Sequence, residues 1–320
     1  MRTRPAFPAA SFATLLLLAG CAGAPVAPRP AAAAPAAAAQ PAGPEPTTPE
    51  GLLPGIPLDG LDEPQRALAA ALARETYVYC GTPHTLSQRL RQPDGGCEHA
   101  RRMGRLVARL AGAGVSREEL ARHVTAYYAG FDAPKRAALD VTAFGPAHGD
   151  ATAGIKLVEF SDFTCPYCQL FRPVLEMFVS ERAGRVRLYF KPFPIESHPG
   201  ALELAQAGEW GRDQGIFWKM HDALFEDPHA ATPSALAARA RALGQDGDDL
   251  VAALESGRLL PRVRGAQAEA RAAGLRGTPT LYFEGRRLPV PDLSEWMLEF
   301  TLQDEEEWQA NRGWARDARP

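Results

Sequence analysis

The sequence feature that most constrains the fold is a pair of cysteines placed between an apolar strand and a helix. A strand is predicted for residues 155–160, Cys165 and Cys168 follow, and helical periodicity then continues to residue 178. With two residues between them, both thiols fall in the first helical turn, close enough to form a disulfide. Cys165 lies at the helix N-terminus, where unpaired N–H groups and the helix dipole favour a thiolate. The pattern predicts a redox pair in which Cys165 attacks and Cys168 resolves.

Composition and charge narrow the alternatives for this pair and for the chain. A structural disulfide or half of a metal site would be the other interpretations, but the sequence has no second Cys-x-x-Cys. Five cysteines in 320 residues are too few for a disulfide-stapled scaffold. Lys and Arg (35) nearly balance Asp and Glu (38), so no basic surface for nucleic acid is indicated.

The N-terminus has the pattern of an export signal. Two arginines precede an apolar run at residues 12–18, which is too short to span a bilayer. The ending Leu-Ala-Gly-Cys resembles the lipobox of bacterial lipoproteins, which implies cleavage after residue 20 and a lipid on Cys21. Ala22 follows where an aspartate would retain a lipoprotein at the inner membrane, so we expect the outer membrane, facing the periplasm. A cleaved, soluble secreted protein is the alternative.

An Ala/Pro-rich tether is predicted for residues 21–60. Residues 22–50 contain 12 Ala and 8 Pro without apolar periodicity, a composition typical of extended, polyproline-like chain. A small helical domain is predicted for residues 61–145, with Cys80 and Cys97 at either end of a loop. In an oxidising compartment these two most simply form a structural disulfide, worth roughly 3 kcal/mol by chain entropy.

Two other interpretations of Cys80 and Cys97 remain open. They could form a second redox pair, or they could bind zinc together with His84 and His99, since all four are suitable ligands.

Beyond the cysteine pair, the pattern alternates between strands and helices. Strands are predicted at 186–190 and 281–283, separated by an Ala-rich helical stretch at about 199–273. A closing helix follows, and residues 304–307 (Asp-Glu-Glu-Glu) are expected to form a solvated face. Residues 304–320 are accordingly assigned to an acidic C-terminal tail.

Four ordered motifs resemble one known family. The segments 160–168, 191–201, 214–225 and 277–280 resemble the DsbA-like branch of the thioredoxin superfamily, over about residues 154–300. The resemblance implies an α/β, thioredoxin-like fold for residues 150–303, with a helical insertion at about 196–273.

The resemblance also implies roles around the cysteines. Pro166 and Tyr167 would tune the pair, and Pro279 would be cis. The cis bond would place Thr278 beside the thiols, where substrate backbone can pair.

A buried acid is also implied. Glu159 matches the family's buried acidic residue and could shuttle protons during resolution, with Lys191 as its expected partner. A strand glutamate that simply faces solvent is the alternative. No organic cofactor and no metal is expected, because a cysteine pair carries two electrons itself.

The expected function is a periplasmic thiol:disulfide oxidoreductase that exchanges disulfides with cysteine-containing secreted proteins. Its expected partners are those substrates, a membrane partner that recycles the pair, and the membrane itself through the lipid on Cys21. Oxidation of substrates is favoured over reduction. The alternatives are an isomerase or reductase dimerised through residues 61–140, or a non-catalytic module that holds client proteins, for example in cytochrome c assembly.

Overall fold

A computed structural model gives the fold. It describes residues 44–78, 83–92, 97–131, 135–289, 292–311 and 313. The predicted signal peptide, Cys21 and Cys80 lie outside the described residues.

Within the described residues, helices surround one small sheet. The strands are β1 (Ile155–Ser161), β2 (Val186–Pro192), β3 (Thr280–Phe283) and β4 (Arg286–Arg287). The helices are α1 (Pro49–Leu52), α2 (Glu63–Glu75), α3 (Leu86–Leu90), α4 (Glu98–Gly112), α5 (Arg117–Ala129), α6 (Pro166–Glu181), α7 (Ala201–Asp213), α8 (Phe217–Glu226), α9 (Pro233–Ala242), α10 (Gly247–Ser256), α11 (Leu260–Ala272) and α12 (Glu295–Asn311), with a 3-10 turn at Thr142–Phe144.

The strand order is β2-β1-β3-β4. β1 and β2 are parallel, and the crossover that such a pair requires is α6. β3 runs antiparallel to β1, and β4 antiparallel to β3. The segment between β2 and β3 holds α7–α11, where a helical insertion is expected. The mixed α/β architecture agrees with the sequence-based expectation.

The two faces of β1 are covered by different helices, because successive side chains in a strand alternate. Leu157 belongs to the same buried cluster as Phe171 and Phe178 of α6. Phe160 belongs to a cluster on the opposite face, which includes Ala270 of α11. Glu159 therefore points toward α6, the helix that begins with the cysteine pair.

The N-terminal helices share their core with the sheet. The helices α2, α4 and α5 lie within the predicted helical region, and a capping box at Ser116 begins α5. Met103 of α4 and Tyr127 of α5 lie in one hydrophobic cluster with Phe178 and Phe300. One continuous core therefore joins these helices to α6 and α12.

The tether prediction is wrong for its last residues. Leu52, Leu53, Ile56 and Leu58 are buried, and α1 begins after a Thr48 cap. These four apolar side chains follow directly on the Ala/Pro stretch, and they pack into the core shared with α2 and α4.

The expected solvated face at the C-terminus is also wrong for Asp304 and Glu305. Both lie inside α12 with no exposed surface. Arg102 donates to Asp304 across 2.5 Å, and Arg286 donates to Glu305 across 2.5 Å. Tyr127 adds a hydrogen bond to Asp304 at 2.9 Å. Opposite charges from distant parts of the chain thus make burial of this acidic segment possible.

We predict that Asp304→Ala lowers the free energy of unfolding by about 3–5 kcal/mol, because the buried Arg102 keeps only the partly exposed Glu307 as a partner and the buried Tyr127 hydroxyl loses its acceptor. Urea unfolding followed by circular dichroism would measure this. The matched control is Glu306→Ala in the same helix, whose partner Arg185 is 38% exposed. This control should cost less than about 1 kcal/mol. Equal costs for the two variants would contradict a stabilising role for the buried network.

Candidate active site

Cys165 lies at the junction of β1 and α6. It is the N-cap residue of α6, with extended backbone angles, and Pro166 follows at the first helical position. A proline is suited to this position because the first helical N–H has no partner within the helix. The backbone N–H groups of Tyr167 and Cys168 interact with the Cys165 sulfur. Cys165 therefore lies at a helix N-terminus, as the sequence pattern predicts, and its role as the attacking thiol stays a prediction.

The loop before β3 lies against this thiol. The Thr278–Pro279 peptide bond is cis, as predicted. The Cys165 Sγ lies 3.5 Å from the carbonyl oxygen of Thr278. Because β3 pairs directly with β1, the sheet brings together two segments that are 113 residues apart in sequence.

The pKa values of the two thiols are shifted in opposite directions. A hydrogen bond from the Cys168 thiol is the largest cause that lowers the pKa of Cys165, to about 5. The side chain of Thr278 and the backbone N–H groups of the first helical turn also lower the pKa of Cys165, while burial opposes this effect. Burial raises the pKa of Cys168, and so does its hydrogen bond to Cys165. At neutral pH the pair is therefore a thiolate at Cys165 next to a buried, protonated thiol at Cys168. Neither cysteine is in a disulfide in this structure.

Glu159 is buried below the pair. Only 4% of it is exposed, and burial raises its pKa to about 7. The charge of Glu159 acts on Cys168, whose pKa it raises further. Glu159 thus combines an acidity near neutral pH with a position close to the resolving thiol, which are the two properties a proton shuttle needs.

Lys191 is not the partner of Glu159. Its ammonium group donates to the carbonyl of Asp140 at 2.6 Å and forms an ion pair with Glu269. The side chains of a strand alternate, and Phe190 is the β2 residue in register with Glu159. Lys191 therefore points to the opposite face of the sheet.

Asp162 is a site residue that the sequence reasoning missed. Its buried carboxylate accepts hydrogen bonds from the Thr164 N–H and hydroxyl at 2.9 and 2.7 Å. It also accepts one from the Ile195 N–H at 2.9 Å, and it contacts His198 Nδ1 at 2.8 Å. It thereby ties the loop before Cys165 to the segment after β2. The Asp-x-Thr pattern, typical of an Asx turn, was the available signal.

An apolar surface borders the thiols. Tyr167 and Leu170 project from the first turns of α6 with 72% and 74% of their surface exposed. Large apolar side chains this exposed are unusual and are typical of sites that contact other proteins.

Cys97, at the start of α4, is oxidised. Cys97 is disulfide-bonded, which excludes it as a thiolate ligand of zinc. Cys80 lies outside the described residues, so its pairing with Cys97, structural or redox-active, stays a prediction. His99 is buried, and burial lowers its pKa to about 3.

A Cys-x-x-Cys pair that starts a helix, beside a cis-proline loop on the central sheet, defines thiol-disulfide oxidoreductases with a thioredoxin-like fold. Residues 142–300 match the family model for thioredoxin. The predicted thioredoxin-like fold is confirmed for this part of the chain.

Curated relatives match part of the chain. The Na(+)/H(+) antiporter NhaA 1 of Salinispora arenicola is 32% identical over 140 residues, which are 43% of this chain and 21% of the relative. NhaA of Herminiimonas arsenicoxydans is 34% identical over 140 residues, 44% of this chain and 22% of the relative. The chain thus spans about a fifth of the relatives' length.

Among the described residues, none of the helices is long and apolar enough to cross a bilayer.

Solved structures similar to this chain include two oxidoreductases. BdbD from Bacillus subtilis, in oxidised form, is 22% identical with a TM-score of 0.46 and covers 53% of this chain and 96% of its own. DsbA from Xylella fastidiosa is 25% identical with a TM-score of 0.42. The match covers 51% of this chain and 90% of the DsbA chain.

We predict that Cys165 titrates with a pKa of about 5, and that Cys168→Ala raises this value by at least a unit. The variant removes the hydrogen bond that contributes most to thiolate stability. Ultraviolet absorbance of the thiolate against pH would measure both. Leu170→Ala is the control: it changes an exposed side chain of the same helix and should leave the pKa in place. An unchanged pKa in Cys168→Ala would contradict the assignment.

We predict that Glu159→Gln stabilises the reduced protein at pH 8 and has little effect at pH 4. With its pKa raised to about 7, Glu159 holds a proton in the folded state that the unfolded chain has already lost. Stability therefore falls as the pH rises from about 4.5 to about 7, by roughly 3 kcal/mol. Urea unfolding at several pH values would measure the difference.

The control for this experiment is Glu181→Gln, at the exposed end of α6. It should not change the pH dependence of stability. A Glu159→Gln variant with the wild-type pH dependence would show that Glu159 titrates normally.

Proposed function

We propose that the protein is a thiol:disulfide oxidoreductase that exchanges disulfides with cysteine-containing secreted proteins through its Cys-Pro-Tyr-Cys site. The observation that carries this proposal is the geometry of the pair: Cys165 is the N-cap residue of α6, Cys168 lies in the first helical turn, and the Cys165 Sγ is 3.5 Å from the carbonyl oxygen of the cis-proline loop. In this position the pKa of Cys165 is lowered and that of Cys168 is raised. A structural cysteine pair would have no need of such an asymmetry between its thiols.

The exchange proceeds through a mixed disulfide. A client thiolate attacks the Sγ of Cys165 in the oxidised pair, and the bond between Cys165 and Cys168 breaks. Cys168 leaves as a thiolate and takes a proton from Glu159. A second client thiolate then attacks the client sulfur and releases the Cys165 thiolate. Two electrons pass from the client to the pair, and the client gains one disulfide.

Thiolate stability favours the oxidase direction. A depressed thiol pKa stabilises the reduced, folded state at pH values above that pKa. Because the pKa of Cys165 is lowered from 9.0 to about 5, this stabilisation is complete above about pH 9, is still partly present at neutral pH, and is lost as the pH falls to about 5. A pair whose reduced form is favoured gives up its disulfide readily to a client.

The apolar border of the site suits unfolded clients. Tyr167 and Leu170 are exposed beside the buried thiols, and the Thr278 backbone lies next to Cys165. A client segment can therefore contact apolar side chains while its cysteine reaches Cys165.

Export and anchoring complete the proposal. The signal at residues 1–20 and the lipobox cysteine Cys21 support a periplasmic protein with a lipid anchor. The proposed site of this anchor is the outer membrane. An oxidase of this kind also needs a membrane partner that reoxidises the pair.

We predict a reduction potential for the Cys165–Cys168 pair that is closer to the DsbA value of about −120 mV than to the thioredoxin value of about −270 mV. The physical reason is the stabilised Cys165 thiolate of the reduced form. Equilibration with glutathione, followed by alkylation and mass spectrometry, would measure it. Cys168→Ala serves as the control for the assignment of the signal to this pair, because it can form only mixed disulfides.

A potential near the thioredoxin value would identify a reductase instead. A Cys165→Ser, Cys168→Ala variant that restored the wild-type phenotype to a deletion strain would overturn the enzymatic proposal in favour of client binding alone.

A further inference from the structure

The segment between β2 and α7 carries a histidine that the proposed exchange does not use. Because β1 and β2 are parallel, both end at the same edge of the sheet, where Cys165 follows β1 and His198 follows β2. The Phe193 N–H donates to the Ser161 carbonyl at 2.7 Å, which extends the strand pairing one residue beyond β2. His198 therefore lies at the edge of the sheet that carries the cysteine pair.

The Asp162 carboxylate connects His198 to the turn before Cys165. Its Oδ1 accepts both hydrogen bonds from Thr164, at 2.9 and 2.7 Å. Its Oδ2 accepts from the Ile195 N–H at 2.9 Å and contacts His198 Nδ1 at 2.8 Å. A carboxylate oxygen accepts hydrogen bonds, so Nδ1 is the donor in this contact. The Asp162 side chain has no exposed surface, so water cannot replace a donor that is lost.

Residues 162–165 form a tight turn that ends at the attacking cysteine. The Cys165 N–H donates to the Asp162 carbonyl at 3.0 Å and closes the turn. The two bonds from Thr164 to the Asp162 side chain hold the middle of the turn. Cys165 is both the last residue of this turn and the N-cap of α6. The direction of its side chain relative to the helix therefore depends on the turn.

The backbone that carries His198 is fixed on its own side. Gln267 of α11 is buried and donates to the Pro194 carbonyl at 2.7 Å. The His198 N–H donates to the Ile195 carbonyl at 2.9 Å. The imidazole thus meets Asp162 from a fixed backbone, which is what a group needs in order to hold another group in place.

We propose that His198 is a positioning residue for the redox pair: its hydrogen bond to Asp162 fixes the turn that places the Cys165 sulfur at the start of α6. The connection runs from the imidazole to Asp162 Oδ2, from Oδ1 to Thr164, and from the Asp162 carbonyl to the Cys165 N–H. This role rests on the proposed function, since it concerns the Cys165 thiolate that takes part in disulfide exchange.

A looser turn would weaken the contacts of the thiolate. The backbone N–H groups of Tyr167 and Cys168 lower the pKa of Cys165. Hydrogen bonds weaken steeply when their distance and angle change, so these contacts need the sulfur in one position. If the donor at position 198 is removed, the buried Asp162 carboxylate loses one of its four bonds and holds the turn less strictly. The pKa of Cys165 should then rise.

The test compares His198→Leu with His198→Asn in the full-length protein. Both side chains branch at Cγ as histidine does, and the Asn amide nitrogen is as many bonds from the backbone as Nδ1, so only Asn keeps the donor. We expect His198→Leu to raise the pKa of Cys165 by about one unit. The reduced form is then less favoured, and the reduction potential at pH 7 should become about 30 mV more negative. His198→Asn should keep the wild-type values.

Ultraviolet absorbance of the thiolate against pH would measure the pKa, and equilibration with glutathione would measure the potential. Amide hydrogen exchange of the reduced protein would report on the turn itself. Peptides that cover residues 162–165 should exchange faster in His198→Leu than in the wild type, and at the wild-type rate in His198→Asn.

Glu196→Ala is the matched control. It lies in the same segment, but its side chain is 76% exposed and pairs with Arg271 at the surface. It should leave the pKa of Cys165, the potential and the exchange of the turn unchanged. His198→Ala, which removes the donor without adding an apolar group, takes the place of His198→Leu if that variant does not fold.

Three outcomes would overturn the proposal. The first is a wild-type pKa and potential in His198→Leu, even if urea unfolds this variant more easily, because the histidine would then contribute to stability alone. The others are equal shifts in His198→Leu and His198→Asn, and a raised pKa without faster exchange in the turn. A wild-type protein that does not exchange with glutathione would instead contradict the proposed function, and the pKa and amide exchange would still compare the variants.

Discussion

The site depends on the hydrogen bond between the thiol of Cys168 and the sulfur of Cys165 at the first turn of α6. The bond stabilises a thiolate at one position, and it keeps a proton on the buried thiol at the other. It forms because a two-residue spacing at a helix start holds both groups within one turn. The remaining parts of the site serve this pair: the Thr278 loop lies against the thiolate, and Glu159 lies near the proton.

The helical insertion provides more than a cover for the sheet. Through α8 it brings His221 against Phe190, and so next to the face of β1 that carries Glu159. Asp162 ties the segment at the start of this insertion to the loop before Cys165. The insertion therefore contacts both the strand beside β1 and the loop that precedes Cys165.

A second group of buried charges holds the two ends of the described chain together. Arg102 from α4 and Arg286 from β4 meet Asp304 and Glu305 of α12. Because removing one partner of a buried pair leaves an uncompensated charge, this network resists partial unfolding of α12. It also explains why the N-terminal helices and the sheet share one core.

The sequence alone determined the local chemistry: the strand, the Cys165–Cys168 pair at a helix start, and the motif whose resemblance implied a cis bond before Pro279. These follow from short-range spacing and from turn and helix-end preferences, which a linear pattern records. Tertiary structure decided which side chains meet across distant segments. It directed Lys191 to the opposite face of the sheet, buried Asp304 and Glu305 against arginines about 200 and 20 residues away, and packed His221 against Phe190. No periodicity encodes such pairings, because they depend on how whole elements pack and on which charges that packing removes from water.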